Sequence, residues 1–207
     1  FSGNIDGRGH KISNLTINGM VFKDDGSIST SSNTTTRGSR QYTGFIGILE
    51  KGSVTNLHFD ASCSVTSYSK VGMVVGRMSQ GSTVSGCSSA GTVRSYSDYA
   101  GGIVGDGQKI FMRSCVNYAD VEGLNGQYVG GIAGYMKMTG IGFVGYMDSC
   151  YNYGNVSSGH KYIGGVTGYQ GGDYVNTDCG NYGTVTGTGS KANSDNVGGF
   201  TGYSYGD

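Results

Sequence analysis

A glycine-rich motif recurs six times along this chain of 207 residues, and its spacing limits the fold more than any other feature. The copy at residues 101–105 reads GGIVG, and the others read TGFIG, GMVVG, GGIAG, GGVTG and GGFTG. Successive copies are 29, 29, 29, 34 and 34 residues apart, measured between their last glycines: Gly47, Gly76, Gly105, Gly134, Gly168 and Gly202. Six copies at so regular a period indicate a repeat protein, in which one small unit is stacked on the next.

A second block follows the motif and contains a cysteine in four repeats. It reads VSGCSSAGTV, MRSCVNYADV, MDSCYNYGNV and NTDCGNYGTV, and Leu57 takes the cysteine position in the first repeat. The cysteines of this block are Cys87, Cys115, Cys150 and Cys179. The two longer repeats contain about five additional residues each, one set before Cys150 and one after Cys179, and we expect these to form loops. A larger polar excursion is expected at residues 18–40.

The composition favours short strands joined by tight corners. The chain has 41 glycines and no proline, and its apolar residues show no helical spacing. Short β-rich runs between glycine or serine corners, repeated every 29 to 34 residues, are typical of a β-solenoid. We therefore expect an all-β fold, most consistent with a right-handed parallel β-helix of about seven coils, in a single domain over residues 1–207. Residues 1–40 would supply an N-terminal coil with a polar loop, and residues 41–207 the repeats.

Stacking the repeats in register turns each repeat position into a column of side chains along the solenoid axis. One apolar column is expected to face inward and consists of Phe45, Val74, Ile103, Ile132, Val166 and Phe200. The cysteines of the second block form another inward column, in which free thiols behave as small apolar groups. Asn117, Asn152 and Asn181 form a third column, whose side-chain amides can bond to one another along the axis.

Two sequence patterns resemble known bacterial repeats. The opening FSGNIDGRGHKISNLTI resembles the first coil of pectin-lyase-like β-helices on bacterial surface proteins. The pairing of GGIVG with SCYNYGNV resembles the Glug-motif repeat of bacterial surface proteins and IgA-specific metallopeptidases, most specifically over residues 128–185. The copies TGFIG and GMVVG depart from that pattern. The resemblance implies an accessory array at the cell surface or in secreted form, adhesive or spacer-like, and it supplies no catalytic residue.

The glycine motif does not fit a phosphate-binding loop. Such a loop joins a strand to the N-terminus of a helix, and no segment of helical period follows any of the six copies. We interpret the glycines as structural, needed at corners or for close packing of layers. Fourteen basic and fourteen acidic residues are spread singly along the chain, and no apolar run reaches the roughly 18 residues of a membrane span. Nucleic-acid binding and direct membrane insertion are therefore not expected.

The sequence also gives little support for a metal site, a disulfide framework or catalysis. The cysteines lack CxxC spacing and a histidine partner, and stacked Cβ atoms would lie one strand spacing apart, which is farther than a disulfide prefers. We expect buried free thiols, with no metal and no cofactor. No column gathers the carboxylates, or a base with arginine or lysine, that a polysaccharide-cleaving β-helix needs. His10, His58 and His160 fall in unrelated columns, so the chain is predicted not to be an enzyme.

Tyrosine is the most suggestive surface residue. Two repeat positions hold tyrosine in three successive units, which predicts one row of Tyr118, Tyr153 and Tyr182 and another of Tyr135, Tyr169 and Tyr203. Rigid amphipathic rings in a row suit the docking of a sugar or a protein. The same rings also suit the covering of a sheet face, where aromatic residues are favoured.

The function predicted from these observations is adhesion or interaction. A rigid repeat face would be presented to a host or environmental glycan or protein, outside the cell or on its surface, as part of a larger surface protein. A spacer or stalk that holds another domain away from the cell is the alternative. A polysaccharide-active β-helix enzyme is a further possibility, which would need a site assembled from loops.

Overall fold

The computed structural model describes residues 1–20, 42–79, 81–138, 144–189 and 196–205. These residues form 29 strands and no helix. None of the described segments is an apolar helix long enough to cross a membrane. The central parts of the three insertions expected from the sequence lie outside the described residues.

Each turn of the chain contributes strands to the same five sheets, named A to E in the order in which the chain visits them. The first three coils contain β1 (Asn4–Asp6), β2 (Lys11–Ile12), β3 (Thr16–Gly19), β4 (Ile46–Glu50), β5 (Ser53–Thr55), β6 (His58–Phe59), β7 (Ser64–Ser67), β8 (Val71–Gly72), β9 (Val75–Ser79), β10 (Thr83–Ser85), β11 (Ser88–Ser89), β12 (Thr92–Ser95), β13 (Ala100–Gly101) and β14 (Val104–Gln108). The last three contain β15 (Phe111–Arg113), β16 (Val116–Asn117), β17 (Asp120–Gly123), β18 (Val129–Gly130), β19 (Ala133–Lys137), β20 (Gly145–Asp148), β21 (Tyr151–Asn152), β22 (Val156–Ser158), β23 (Ile163–Gly164), β24 (Thr167–Gly171), β25 (Tyr174–Thr177), β26 (Gly180–Asn181), β27 (Val185–Gly187), β28 (Val197–Gly198) and β29 (Thr201–Tyr205). In sheet D the first coil contributes only the bridge from Thr43 to Val71.

Strands of successive coils pair in parallel and in register. In sheet A, for example, Val84 of β10 pairs with Val54 of β5 on one side and with Met112 of β15 on the other. The same pattern orders sheet E as β29-β24-β19-β14-β9-β4. The prediction of an all-β parallel solenoid is therefore confirmed, while the right-handed twist of the coil stays a prediction.

The described residues form six coils, fewer than the predicted number of about seven. The difference arises at the N-terminus, because β1, β2 and β3 belong to the same coil as β4, which carries the first glycine motif. The N-terminal strands thus complete the first repeat and do not form a coil of their own.

The core runs along the axis of the solenoid as a continuous stack of apolar columns. The predicted apolar column is fully buried at Val74, Ile103, Ile132 and Val166. Phe45 is exposed and Phe200 is only half-buried, which differs from the prediction that the whole column faces inward. Both phenylalanines lie in end coils, where a neighbouring coil covers one side only.

The predicted asparagine column forms a chain of side-chain hydrogen bonds through the interior. The Nδ2 of Asn117 donates to Oδ1 of Asn152 at 2.7 Å, and the Nδ2 of Asn152 donates to Oδ1 of Asn181 at 2.8 Å. The hydroxyl of Ser89 donates to Oδ1 of Asn117 at 2.6 Å and so continues the chain into the preceding coil. Each amide also donates to the backbone carbonyl two residues further on, namely that of Ala119, Gly154 or Gly183. A buried polar column of this kind is favourable because its groups find partners.

The second glycine of the motif makes room for this ladder. A Cβ on Gly131 would collide with the side chain of Asn152 in the next coil. The same collision occurs in the coils on either side, between Gly102 and Asn117 and between Gly165 and Asn181. In the last coil, Gly199 has no atom of the described residues within 4 Å of such a Cβ.

The motif copy GMVVG departs from the pattern together with its partner. By register, Met73 takes the position of the second glycine, and Ser89 takes the position of the asparagine. A larger residue in the motif therefore accompanies a smaller residue in the ladder. The two repeated blocks are fitted to each other across the interior.

The last glycine of the motif allows two neighbouring coils to approach each other closely. A Cβ on Gly105 would lie 2.6 Å from the backbone nitrogen of Val71, and one on Gly202 would lie 2.5 Å from that of Ile163. None of the six last glycines has a positive φ. Of the two structural reasons expected from the sequence, close packing therefore applies to these glycines and the corner conformation does not.

The cysteine column lies inside the solenoid. Cys87, Cys115 and Cys150 are buried, Cys179 in the last coil is half-buried, and all the cysteines, including Cys63 outside the column, are free. The thiols of Cys87, Cys115 and Cys179 contact carbonyl oxygens of the preceding coil, for example Cys115 Sγ at 3.5 Å from Val84 O. Burial raises the pKa of the Cys87 thiol, so this group stays protonated and weakly reactive.

The fit between motif glycine and asparagine predicts the outcome of a small substitution. Gly131→Ala should lower the free energy of unfolding by about 2–4 kcal/mol, because the methyl group would lie 2.2 Å from the Asn152 side chain and 2.3 Å from the Gly165 carbonyl oxygen. Adding Asn152→Ser should recover part of this loss, since serine leaves more space. Denaturant unfolding measures both, with Gly199→Ala as the control that should cost no more than about 0.5 kcal/mol. Equal losses for the two glycine variants would contradict the proposed fit.

The cysteine column predicts five free thiols of unequal accessibility. Intact mass should not change on reduction, and alkylation of the native protein should modify Cys179 before Cys87, Cys115 or Cys150. The half-buried position of Cys179 in an end coil is the reason. A disulfide between two coils, detected by peptide mapping without reduction, would be incompatible with this arrangement.

Candidate functional site: the tyrosine columns

The two tyrosine rows predicted from the sequence lie on different surfaces and differ in exposure. The name outer tyrosine row is used for Tyr118, Tyr153 and Tyr182. The name tyrosine face is used for two adjacent columns that contain the second predicted row, with the members Tyr42, Tyr99, Tyr128, Tyr162, Tyr135, Tyr169 and Tyr203.

The outer tyrosine row projects from the corner after sheet B. Each of its residues directly follows a residue of the asparagine ladder, and because successive side chains of an extended segment alternate, the tyrosine points outward. Tyr118, Tyr153 and Tyr182 are 56%, 47% and 67% exposed. The rings of Tyr118 and Tyr153 stack at 5.3 Å, and those of Tyr153 and Tyr182 at 4.8 Å. The coil repeat sets this spacing.

Stacking determines which parts of these rings a ligand can reach. Neighbouring rings are nearly parallel, with interplanar angles of 14° and 9°, so their faces are largely covered by each other. Ring edges and hydroxyl groups remain open along the row. The outward face of Tyr182, at the end of the row, has no stacked ring above it among the described residues.

A shallow polar groove lies on the outer surface of sheet C, next to this row. It is lined by Thr92, Arg94, Asp120, Val121, Glu122, Asn155 and Ser157. Asp120 and Asn155 stand two residues after Tyr118 and Tyr153, so the groove and the row are adjacent along the chain. Arg94 Nε contacts Glu122 Oε2 at 2.6 Å, and Asp120 Oδ1 accepts a hydrogen bond from the Asn155 backbone at 3.0 Å. Charged, donor and acceptor groups are thus available beside exposed rings.

The tyrosine face is packed more tightly than the outer row. In its first column Tyr99, Tyr128 and Tyr162 stack at 5.0 and 5.2 Å. In its second column, the predicted row, the ring distances are 4.8 Å from Tyr135 to Tyr169 and 5.5 Å from Tyr169 to Tyr203. The two columns meet edge to face, since Tyr128 lies 5.2 Å from Tyr135 at an angle of 76° and 5.3 Å from Tyr169 at 86°. Such a herringbone of half-buried rings stabilises itself.

The first column of the tyrosine face is not one of the two rows predicted from the sequence. Tyr42 and Tyr99 were not assigned to a row, although a signal for them exists. A tyrosine stands two residues before a motif glycine in the four segments YTG, YAG, YVG and YIG, which begin at Tyr42, Tyr99, Tyr128 and Tyr162. The interlocking of the two columns depends on ring directions that the spacing does not specify.

The backbone of the first column is held in an unfavourable conformation. Tyr99, Tyr128 and Tyr162 have φ angles of 66°, 64° and 63°, in the left-handed region that costs non-glycine residues about 1–2 kcal/mol. The corner between sheets A and B has the same conformation, but there the residues are of types that often occupy turns: Asn56, Gly86, Ser114, Ser149 and Asp178. Tyrosine is therefore present in the first column because of its side chain, and not because the backbone favours it.

Burial keeps the hydroxyl groups of this surface neutral. It raises the pKa of Tyr135 to about 12, and it also raises the pKa values of Tyr99 and Tyr128. These phenols act as hydrogen-bond donors and acceptors over the physiological range. Within the described ranges no group of three or more histidine, cysteine, aspartate or glutamate side chains is arranged to hold a metal ion.

Comparison with known proteins gives a structural match only. The chain matches no protein-family model, and no curated protein matches it. Its fold is similar to a crystal structure described as that of a "putative immunoglobulin A1 protease" from Bacteroides ovatus, with a TM-score of 0.62 and 19% sequence identity. The similarity covers 97% of this chain and 59% of that chain. At 19% identity the similarity shows a shared fold alone. This chain corresponds to little more than half of the length of the other chain.

The tyrosine face predicts opposite effects of the same change at two left-handed positions. Tyr128→Gly should lower the free energy of unfolding by about 1–3 kcal/mol, because the lost ring contacts outweigh the relieved backbone. Ser114→Gly, which is exposed and makes no ring contact, should change it by between zero and about +1 kcal/mol. Thermal and denaturant unfolding compare the two. A stabilising Tyr128→Gly would mean that the stacked rings contribute nothing.

Proposed function

We propose that this chain is a non-catalytic adhesion or interaction module that binds a glycan or a protein through the outer tyrosine row. It acts outside the cell or on its surface, within a larger surface protein, and its repeats are of the Glug type. The observation that carries the proposal is the row itself: three exposed, nearly parallel rings held at the coil spacing beside a polar groove.

The rigidity of the row supports binding. Each ring is fixed by its neighbour and by a corner whose preceding asparagine is bonded into the core ladder. A ligand therefore does not have to immobilise these side chains, and the entropy lost on binding is smaller than for free side chains. Tyrosine offers a large apolar edge together with a hydroxyl group, which suits both sugars and proteins.

The direction of the row favours an extended ligand. The rings and the groove both run along the solenoid axis. The tyrosine recurs in each of the last three coils, and the groove is lined by polar groups of the third, fourth and fifth coils. A linear oligosaccharide or an extended peptide aligned with the axis meets these groups repeatedly, and repeated weak contacts add to the affinity.

The solved structure with the same fold supports an extracellular setting. It is described as a "putative immunoglobulin A1 protease", and immunoglobulins are extracellular proteins. That description also gives the main support for an enzymatic alternative. Against it, the three ion pairs of the described residues lie on different sheets: Arg77–Asp106 on sheet E, Arg94–Glu122 on sheet C and Arg113–Asp148 on sheet A. Acid and base groups so placed do not reach one substrate.

A spacer or stalk is the second candidate function. The specific observation in its favour is that the ring faces in both tyrosine surfaces are covered by other tyrosines, which is what a purely structural column requires. In that case the chain would separate other domains and bind nothing itself.

The experiment that tests the proposal is a screen of glycans and extracellular-matrix proteins followed by variants. Tyr153→Ala should weaken binding to a positive ligand by about tenfold or more, because the middle ring stacks on both of its neighbours and its loss interrupts the row. Tyr146→Ala is the matched control, since Tyr146 is also 47% exposed and stacked on Phe111, but belongs to sheet A. A folded protein that binds nothing in the screen would favour the spacer. Two variants that lose affinity equally would show that the outer tyrosine row is not the binding surface.

A further inference from the structure

The tyrosine face is interrupted by two cationic residues in the second coil. By register Lys70 takes the position of Tyr99, and Arg77 takes the position that is Tyr135 two coils later. Lys70 also has the left-handed backbone of this column, with a φ of 52°. The second coil thus replaces both rings of the face with side chains that carry a positive charge.

Aromatic rings hold both cations in place. The Nζ of Lys70 lies 4.6 Å from the ring centroid of Tyr99 and 5.6 Å from that of Tyr42, so the ammonium group occupies the place of a ring in the stack. The guanidinium group of Arg77 lies 5.3 Å from the Tyr42 centroid and donates from Nη1 to the Tyr42 hydroxyl at 2.9 Å. Its Nη2 donates to Gln108 Oε1 at 3.3 Å. These contacts preorganise two charges at one place on the surface.

In the described residues an acid group forms an ion pair with only one of these two cations. Asp106 Oδ2 lies 3.8 Å from Arg77 Nε, and Asp106 is only 3% exposed, with burial raising its pKa. Asp98, in the neighbouring corner, accepts a hydrogen bond from the backbone of Gln127 at 2.9 Å. In the described part of the chain Lys70 Nζ makes neither an ion pair nor a hydrogen bond. Arg77 therefore has one ion-pair partner at this place, and in the described residues the Lys70 ammonium group has no carboxylate within ion-pair distance.

We propose that Lys70 and Arg77 form a subsite for an oxyanion of a sugar, a carboxylate or a sulfate, with Tyr42 and Tyr99 flanking the bound ring. The inference rests on the proposed function in that it takes the ligand to be a glycan. Arginine presents a planar fork that matches a carboxylate or sulfate, and lysine adds a compact charge beside it. Tyrosine edges next to the cations offer apolar contact to the C–H groups of the sugar.

A matched pair of ligands tests the subsite. The full chain is titrated with an oligogalacturonate and with the same oligosaccharide as its methyl ester, which differ only in the charge of the carboxyl group. A second pair, a chondroitin sulfate oligosaccharide and its desulfated form, distinguishes sulfate from carboxylate. At low salt we expect at least one acidic member to bind about tenfold more tightly than its matched partner, and this preference should shrink as salt rises.

The variant for this test is the double substitution Lys70→Tyr with Arg77→Gln. At position 70 tyrosine is the residue of both neighbouring coils, and at position 77, which lies between Ile48 and Asp106, glutamine keeps a polar side chain without the charge. It should abolish the preference for the acidic ligand. Lys161→Gln is the control, because Lys161 also lies over a ring of the face, 5.1 Å from the Tyr162 centroid, and among the described residues no second cation lies over that ring. The preference should persist in that variant. No preference in the native protein, or a preference that survives the double substitution, would overturn the subsite. Tyr153→Ala reports on the outer tyrosine row separately, so either idea can fail alone.

Discussion

The fit between the glycine motif and the asparagine ladder is the interaction on which the rest of the structure depends. In the third, fourth and fifth coils a glycine leaves the volume that an asparagine of the following coil fills, as at Gly131 and Asn152. That asparagine in turn bonds to its counterparts in both neighbouring coils. A shift by one residue would turn the asparagine to the opposite face of its strand and break the ladder, so the fit stabilises the stack and fixes its register at once.

The fixed register of the interior columns determines which side chains point outward. Because Asn152 points inward, Tyr153 must point outward, and the same holds one coil earlier and one coil later. The outer tyrosine row is therefore positioned by the core, and its ring spacing is the coil spacing. The tyrosine face follows from the same register in sheets D and E, where the second coil alone carries two cations in place of two rings. The structural result is a rigid outer surface on which side chains of the same type recur from coil to coil.

The columns could be predicted from the sequence because a nearly constant repeat length determines which residues stack. That argument identified the apolar, cysteine and asparagine columns and both tyrosine rows. It could not predict that Phe45 would be exposed, since this depends on a missing neighbour at the end of the stack. The contact of Gly131 with Asn152 joins two different coils across the interior and has no signal in the spacing. The half-buried state of Tyr135, in contrast to the exposed Tyr118, results from a second tyrosine column that packs against it.

The most direct measurement of the central claim is the hydrogen exchange of the asparagine side-chain amides, followed by NMR on the native protein. If the ladder holds the coils in register, the Nδ2 protons of Asn117 and Asn152 exchange as slowly as backbone amides of the core strands, and those of the half-buried Asn181 exchange faster. Exchange of the Asn117 and Asn152 amides at the rate of an exposed asparagine would contradict the account, because it would show that the ladder is not formed in solution.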